Sequence, residues 1–301
     1  MGRTNAPAGY RELGAALRNL RKEAGLTGRS VAFRTGWDPT KISRIESGQV
    51  HLDVADVCWY LGKLQVPREV AVPLIDRCRQ TRNNPGFWMT PFGESVPDAL
   101  SSLLYHESTA NVSTSYESQV IPGLLQTERY ARTLIGGNLT YTKEDVDVSV
   151  RTRVDRRWVL SRSDCAFCFY IHEQALRTVI GGTDVMCEQM LALALEGHAP
   201  NVEVRVIPGS IGDHPTLLGS FRVFEFDEHE TLVHLDNFAV ASFWFEDQDF
   251  VARYNRLVRH LADVAANVEQ SRKFIAALAD EYDRGSSTHG LRAVEEEHLQ
   301  R

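Results

Sequence analysis

The chain is poor in cysteine: five in 301 residues, an odd count that predicts reduced, mostly buried thiols and speaks against a disulfide framework. It also lacks any run near the roughly 18 consecutive apolar residues of a membrane span, and Met1 to Tyr10 carries no apolar signal core. A soluble, cytoplasmic protein is expected. There is no internal repeat, no long low-complexity segment and no Gly-rich phosphate loop. His172-Glu173 lacks the second histidine of a metalloprotease helix, and Asp213-His214 beside Gly212 lacks a nucleophile at a recognisable elbow. No catalytic residue, cofactor or resident metal is therefore expected. Cys165-Ala166-Phe167-Cys168 has no second pair or matching histidines for zinc, and it sits in a strand-like apolar run rather than at a helix start, where redox thiols gain acidity. Core cysteines are the expectation.

What is present suffices for about two domains: 43% of the residues are apolar. The net charge of −7 hides an asymmetry. Residues 1–50 hold nine basic groups against four acidic ones, a local +5 that leaves −12 for the rest. A basic head on an acidic body suggests a polyanion-binding module joined to a part that stays off the polyanion.

In residues 1–82 the apolar spacing is helical and the helices are short. Leu13, Leu17 and Leu20 mark a first helix ending at Ala24-Gly25. Thr27 caps a second, carrying Val31, Ala32 and Phe33 and stopping at Gly36; Asp38-Pro39 opens a third, through Ile42 and Ile45 to about Gly48. Leu52 to Leu64 gives a fourth helix and Val70 to Cys78 a fifth. Residues 83–95, rich in polar residues, Gly and Pro, are expected as a linker that docks through Phe87, Trp88 and Phe92. Residues 96–283 are expected as an α+β domain with a small, mainly antiparallel sheet. Its helices lie near 97–107, 127–136, 143–161, 184–196, 247–264 and 268–283, the third opened by a Thr142/Asp145 capping box. Its strands are Cys165–His172, Val202–Ile207, Phe221–Phe226 and Leu232–Leu235. Residues 284–301 read as a charged, poorly ordered tail.

Two short helices joined through Gly36 have the layout of a helix-turn-helix. The second carries Thr40, Lys41, Ser43 and Arg44 on one side, and Ile42 and Ile45 on the other. The apolar face fixes the helix to the bundle while its N-terminal end and polar face enter the major groove of double-stranded DNA. Arg44 is the best candidate for a base contact, because its planar fork matches the two acceptors of a guanine edge. Lys41 more naturally meets a phosphate, and Arg29 could clamp the backbone beside the groove. The bland alternative is a five-helix module with a merely solvated basic surface.

The run Gly25 to Gln49 (GLTGRSVAFRTGWDPTKISRIESGQ) resembles the DNA-binding domain of the Cro/C1 repressor, or XRE, family. The matching positions are Leu26, Thr27, Ala32, Gly36, Ile42, Ser43, Arg44, Ile45, Glu46 and Gly48, while Gly28-Arg29 stands where the family usually has Gln. The resemblance implies base contacts from Asp38, Pro39, Thr40 and Arg44 and backbone contacts from Lys41 and Ser47. Pro39 has no donor to offer, so it could only read a base through apolar contact. Further on, VIPGLLQTERYARTLI (Val120 to Ile135), HEQALRTVIGG (His172 to Gly182), VEVRVIPGSIGDHP (Val202 to Pro215) and GSFRVFEF (Gly219 to Phe226) resemble the C-terminal domain of actinobacterial XRE regulators. Those regulators are often accompanied by a small protein from a neighbouring gene, and antitoxin-like behaviour is implied.

The resulting expectation is a sequence-specific transcriptional regulator: a homodimer on operator DNA whose second domain dimerises, binds a partner or senses a ligand. An antitoxin-like component and an enzyme fused to a DNA-binding head are the alternatives. The aromatics Phe167, Phe169, Tyr170, Phe221, Phe224, Phe226, Phe238, Phe243, Trp244 and Phe245 suit an ordinary sheet core better than a small-molecule pocket. Phe274, Ile275, Leu278 and Tyr282 form a helical stripe that either packs on the sheet or meets a partner.

Overall fold

The computed structural model describes residues 7–82, 86–91, 96–139, 141–211, 219–237 and 241–299. It divides into two compact units, Met1–Thr90 with Glu225–Leu232 and Phe243–Val251, and Pro91–Phe224 with Val233–Ser242 and Ala252–Arg301.

The helices of the first unit are α1 (Ala8–Glu23), α2 (Gly28–Thr35), α3 (Pro39–Glu46), α4 (Val54–Lys63) and α5 (Arg68–Arg82). Tyr10, Leu13 and Leu17 of α1 meet Val31, Ile42, Ile45, Val57, Tyr60 and Leu61 in one buried cluster. The helix ends follow their local chemistry. Gly25 adopts φ +67 after α1, and Thr27 Oγ1 accepts the Ser30 amide at 3.1 Å to cap α2. Two glycines let α1 and α3 touch backbone to backbone. A Cβ on Gly14 would stand 2.3 Å from the Ile45 carbonyl, and one on Gly48, where φ is +67, would stand 2.4 Å from Arg11 Cα.

Within the expected linker, Phe87–Pro91 forms strand β1. Its two consecutive aromatics, Phe87 and Trp88, meet a later segment of the same unit: Trp88 stacks on Trp244 at 5.8 Å, and the Gly86 carbonyl accepts the Glu246 and Asp247 amides at 2.9 and 3.0 Å. Glu246 Oε2 in turn accepts the Ala8 amide at 2.7 Å, so a carboxylate from late in the chain caps the first helix. The Arg11 guanidinium lies 4.7 Å from the centre of the Phe226 ring.

The second unit continues with α6 (Val96–Thr109), β2 (Val112–Glu117), α7 (Glu128–Gly136), α8 (Lys143–Asp155), β3 (Ala166–His172), α9 (Glu173–Arg177), α10 (Thr183–Glu196), β4 (Val202–Ile207), β5 (Phe221–Glu225) and β6 (Leu232–Asn237). Strand β7 (Ala241–Phe245), α11 (Gln248–Val264) and α12 (Val268–Leu299) complete the described chain. The architecture is the expected α+β, with a sheet that is larger than expected and mixed in strand direction. It has seven strands in the order β1-β7-β6-β5-β2-β3-β4, and β2 and β4 both run parallel to β3, with Tyr116 opposite Tyr170 and Tyr170 opposite Arg205. The cause lies in the connections: α7 and α8 join β2 to β3, and α9 and α10 join β3 to β4, the helical crossovers that parallel neighbours require. Strand β3 is accordingly apolar along most of its length.

Phe167, Phe169 and Ile171 of β3 and Val204 and Val206 of β4 pack under Met186, Met190 and Leu193 of α10 and Ile275 and Leu278 of α12. The α12 stripe therefore packs within its own domain, and Tyr282 closes it by donating its hydroxyl to the Leu176 carbonyl at 2.8 Å. Helix α12 runs on to Leu299, through the segment expected as a poorly ordered tail. The helix expected over 143–161 tightens at Arg156 into a 3-10 turn, Arg156–Ser161. Of the aromatics singled out, Phe167, Phe169, Tyr170, Phe221, Phe224, Phe226 and Trp244 are buried, and Phe238 lies outside the described residues.

Candidate nucleic-acid interface

Helix α3 is short, so its placement depends on what holds each end. At the start, the Asp38 carboxylate accepts the Thr40 amide at 2.7 Å and Pro39 occupies the first helical position. Hydrogen bonding from the Thr40 hydroxyl, and then from its amide, holds the Asp38 pKa below the usual carboxylate range. Along the helix Ile42 and Ile45 are buried, while Pro39, Thr40, Ser43 and Arg44 face solvent. At the end, Glu46 is buried and takes both forks of Arg21, Nε to Oε1 and Nη2 to Oε2, each at 2.7 Å. The Tyr60 hydroxyl donates to the same Oε1 at 2.7 Å, and burial with that partner raises its pKa. Three helices, α1, α3 and α4, are thus joined at one carboxylate. This clamp was not legible as such, although Glu46 was a motif position; an acid on the apolar side of a short helix was the available signal.

The turn before α3 is equally determined. Gly36 takes φ +74, and the Trp59 indole donates to the Thr35 carbonyl at 2.9 Å, satisfying the end of α2 from α4.

Arg44 is exposed and makes no ion pair among the described residues, and the same holds for Arg29 and Arg34 on α2 and for Arg18 and Lys22 on α1. Arg34 was not singled out from the sequence, yet it stands as free as Arg29. Lys41 stands differently: its ammonium lies 3.1 Å from Asp56 of α4 and 3.9 Å from the centre of the Trp37 ring, so much of its charge is already answered. The Ser47 hydroxyl donates to the Arg44 carbonyl at 3.3 Å and closes the helix end. Phe33, on the same face of α2 as Arg29, is 91% exposed.

Elsewhere, burial pushes the thiols of Cys165 and Cys168 up to about 11, away from the thiolate that redox or metal chemistry needs. His172 caps α9, accepting the Gln174 amide at Nδ1 over 3.1 Å, and Glu173 accepts from Arg177 and from the Gly209 amide. Asp213 and His214 lie outside the described residues.

A polar, cation-bearing helix locked behind a glycine turn by its apolar side defines a helix-turn-helix DNA-binding module. Residues 12–74 match the model of a helix-turn-helix domain. Residues 100–277, more than half of the chain, match the family described as a domain of unknown function, DUF5753, and the chain belongs to that family. No curated protein matches the chain. No helix among the described residues is long and apolar enough to cross a membrane.

Proposed function

We propose that this is a sequence-specific transcriptional regulator of the Cro/C1 type, in which α3 reads the major groove. The observation that carries the reading is the split of α3 into a buried face, Ile42, Ile45 and Glu46, and an exposed face whose one guanidinium, Arg44, is not ion-paired. Thr40 and Ser43 share that exposed face and can add hydrogen bonds to base edges. Pro39 offers only apolar contact. Asp38 acts chiefly through the cap, while Arg29 and Arg34 answer phosphates. A two-fold operator bound by a homodimer fits a single small head of this kind, with half-sites about 34–36 Å apart. The DUF5753 half dimerises or holds a partner and does not catalyse.

Footprinting of wild-type protein and Arg44→Ala on the DNA upstream of its own reading frame tests the reading. A protected pair of half-sites that disappears in the variant is expected. Protection that is absent, or unchanged by the substitution, would overturn it.

A further inference from the structure

A buried cluster of charged side chains in the second unit has no part in the DNA reading. Glu107 of α6, Glu117 of β2, Arg153 of α8, Arg156 of the 3-10 turn and Arg222 of β5 converge from five elements, with the buried His106 and His234 beside them. The Glu107 Oε1 atom lies 3.1 Å from Arg222 Nη1 and 3.7 Å from Arg156 Nη1, and Glu117 Oε1 lies 3.8 Å from Arg222 Nη2. Two carboxylates thus serve two of the three guanidiniums. Arg153 makes no ion pair among the described residues; its Nη1 donates to Gln126 Oε1 at 2.8 Å. Asp236, exposed and accepting from the Ser242 hydroxyl at 3.3 Å, also attracts Arg153 and Arg156 without forming an ion pair with either among the described residues.

Two further observations separate this cluster from a closed structural network. Arg156 Nε and Glu107 Oε2 are buried without a hydrogen-bond partner among the described residues, although each belongs to a side chain more than nine-tenths buried. Arg153, by contrast, is only half-buried and keeps solvent access, while burial lowers its pKa to about 10. The loop of the Val120 to Thr127 motif covers one side of the cluster. A Cβ on Gly123 would stand 2.5 Å from Arg156 Nη2, so the loop backbone lies directly on the guanidinium, and Gln126 holds it there by donating to the Ile121 carbonyl at 2.7 Å.

We propose that this cluster binds the carboxylate or phosphate of a small anionic ligand, with Arg153 meeting it from the solvent side and Arg156 and Arg222 adding positive charge behind it. A planar guanidinium fork matches both anions, and an added negative charge relieves the mutual repulsion of three cations. The site is independent of the DNA-binding reading and stands or falls separately from it.

Thermal melting of the full chain in potassium phosphate, sodium succinate and potassium chloride at matched ionic strength tests it. Phosphate or succinate is expected to raise the melting temperature along a saturating curve, and which of the two does so identifies the ligand chemistry. Arg153→Ala should shift the half-saturating concentration at least tenfold, Arg153→Lys less. Gly123→Ala, which presses a methyl group on Arg156, should weaken binding. Arg132→Ala, an exposed arginine on α7 paired with Asp147 and Glu128, should leave the curve unchanged. If neither anion gives a saturating rise, or Arg153→Ala keeps the wild-type curve, there is no such site.

Discussion

At the scale of single residues, the candidate interface separates cations that are free from cations that are spent. Arg44→Ala is expected to lose about 1–3 kcal/mol on operator DNA and to relax preference at one base pair, with little loss on random DNA. Fluorescence anisotropy on both sequences checks this, and equal losses would reassign Arg44 to a phosphate. Arg34→Ala should weaken all sequences alike and flatten the salt dependence by about one unit of slope, whereas Lys41→Ala, already answered by Asp56, should flatten it by less. A larger effect at Lys41 would mean that the Asp56 pair opens on DNA. Glu46 is a matter of stability. Glu46→Ala leaves the Arg21 charge without its counter-ion, with only the Leu26 carbonyl to accept from it, and the Tyr60 hydroxyl with only the 3.4 Å contact to the Leu17 carbonyl; urea titration is expected to show a loss of about 3–5 kcal/mol.

At the scale of elements, the sequence was legible wherever a boundary has its own chemistry. Asp38-Pro39 placed the start of α3, Thr27 and Gly36 bounded α2, and the Thr142/Asp145 capping box is formed with both of its hydrogen bonds. What escaped were β1, β2 and β7, short strands whose residues are shared between polar and aromatic types and whose pairing is set by distant partners. The parallel direction of β2, β3 and β4 was hidden for the same reason. Helix α9 escaped because its cap is a histidine, and that cap makes it testable. Burial lowers the His172 pKa below its ordinary value, so the unfolded chain takes up the proton first. The stability His172 contributes is therefore complete above about pH 6.5 and falls as the pH drops. His172→Asn keeps an acceptor that does not titrate. Melting curves between pH 7.5 and 5.5 should be flatter for that variant; an identical slope would show that the cap does not titrate in this range.

At the scale of the whole molecule, chain order misleads. The helices that carry the +5 of residues 1–50 share their compact unit with Glu225–Leu232 and Phe243–Val251, from far along the chain. Nothing in the local pattern of Glu246 announces that it caps α1, because the partner is 238 residues away. Glu246→Ala should therefore loosen α1 by about 1–2 kcal/mol. Hydrogen exchange should detect this as roughly tenfold faster exchange at α1 amides with β3 unchanged, and an unaltered α1 would show that the contact is incidental.

The opposite faces of α3 have consequences for how such a protein can change. Gly14, Gly48 and Glu46 hold the helix by its backbone and its inner side, and none of them occupies the outer face. Thr40, Ser43 and Arg44 can consequently be exchanged as a set without disturbing the scaffold. A lineage carrying this head can acquire a new target sequence through a few surface substitutions, and an engineer can redirect it by the same route.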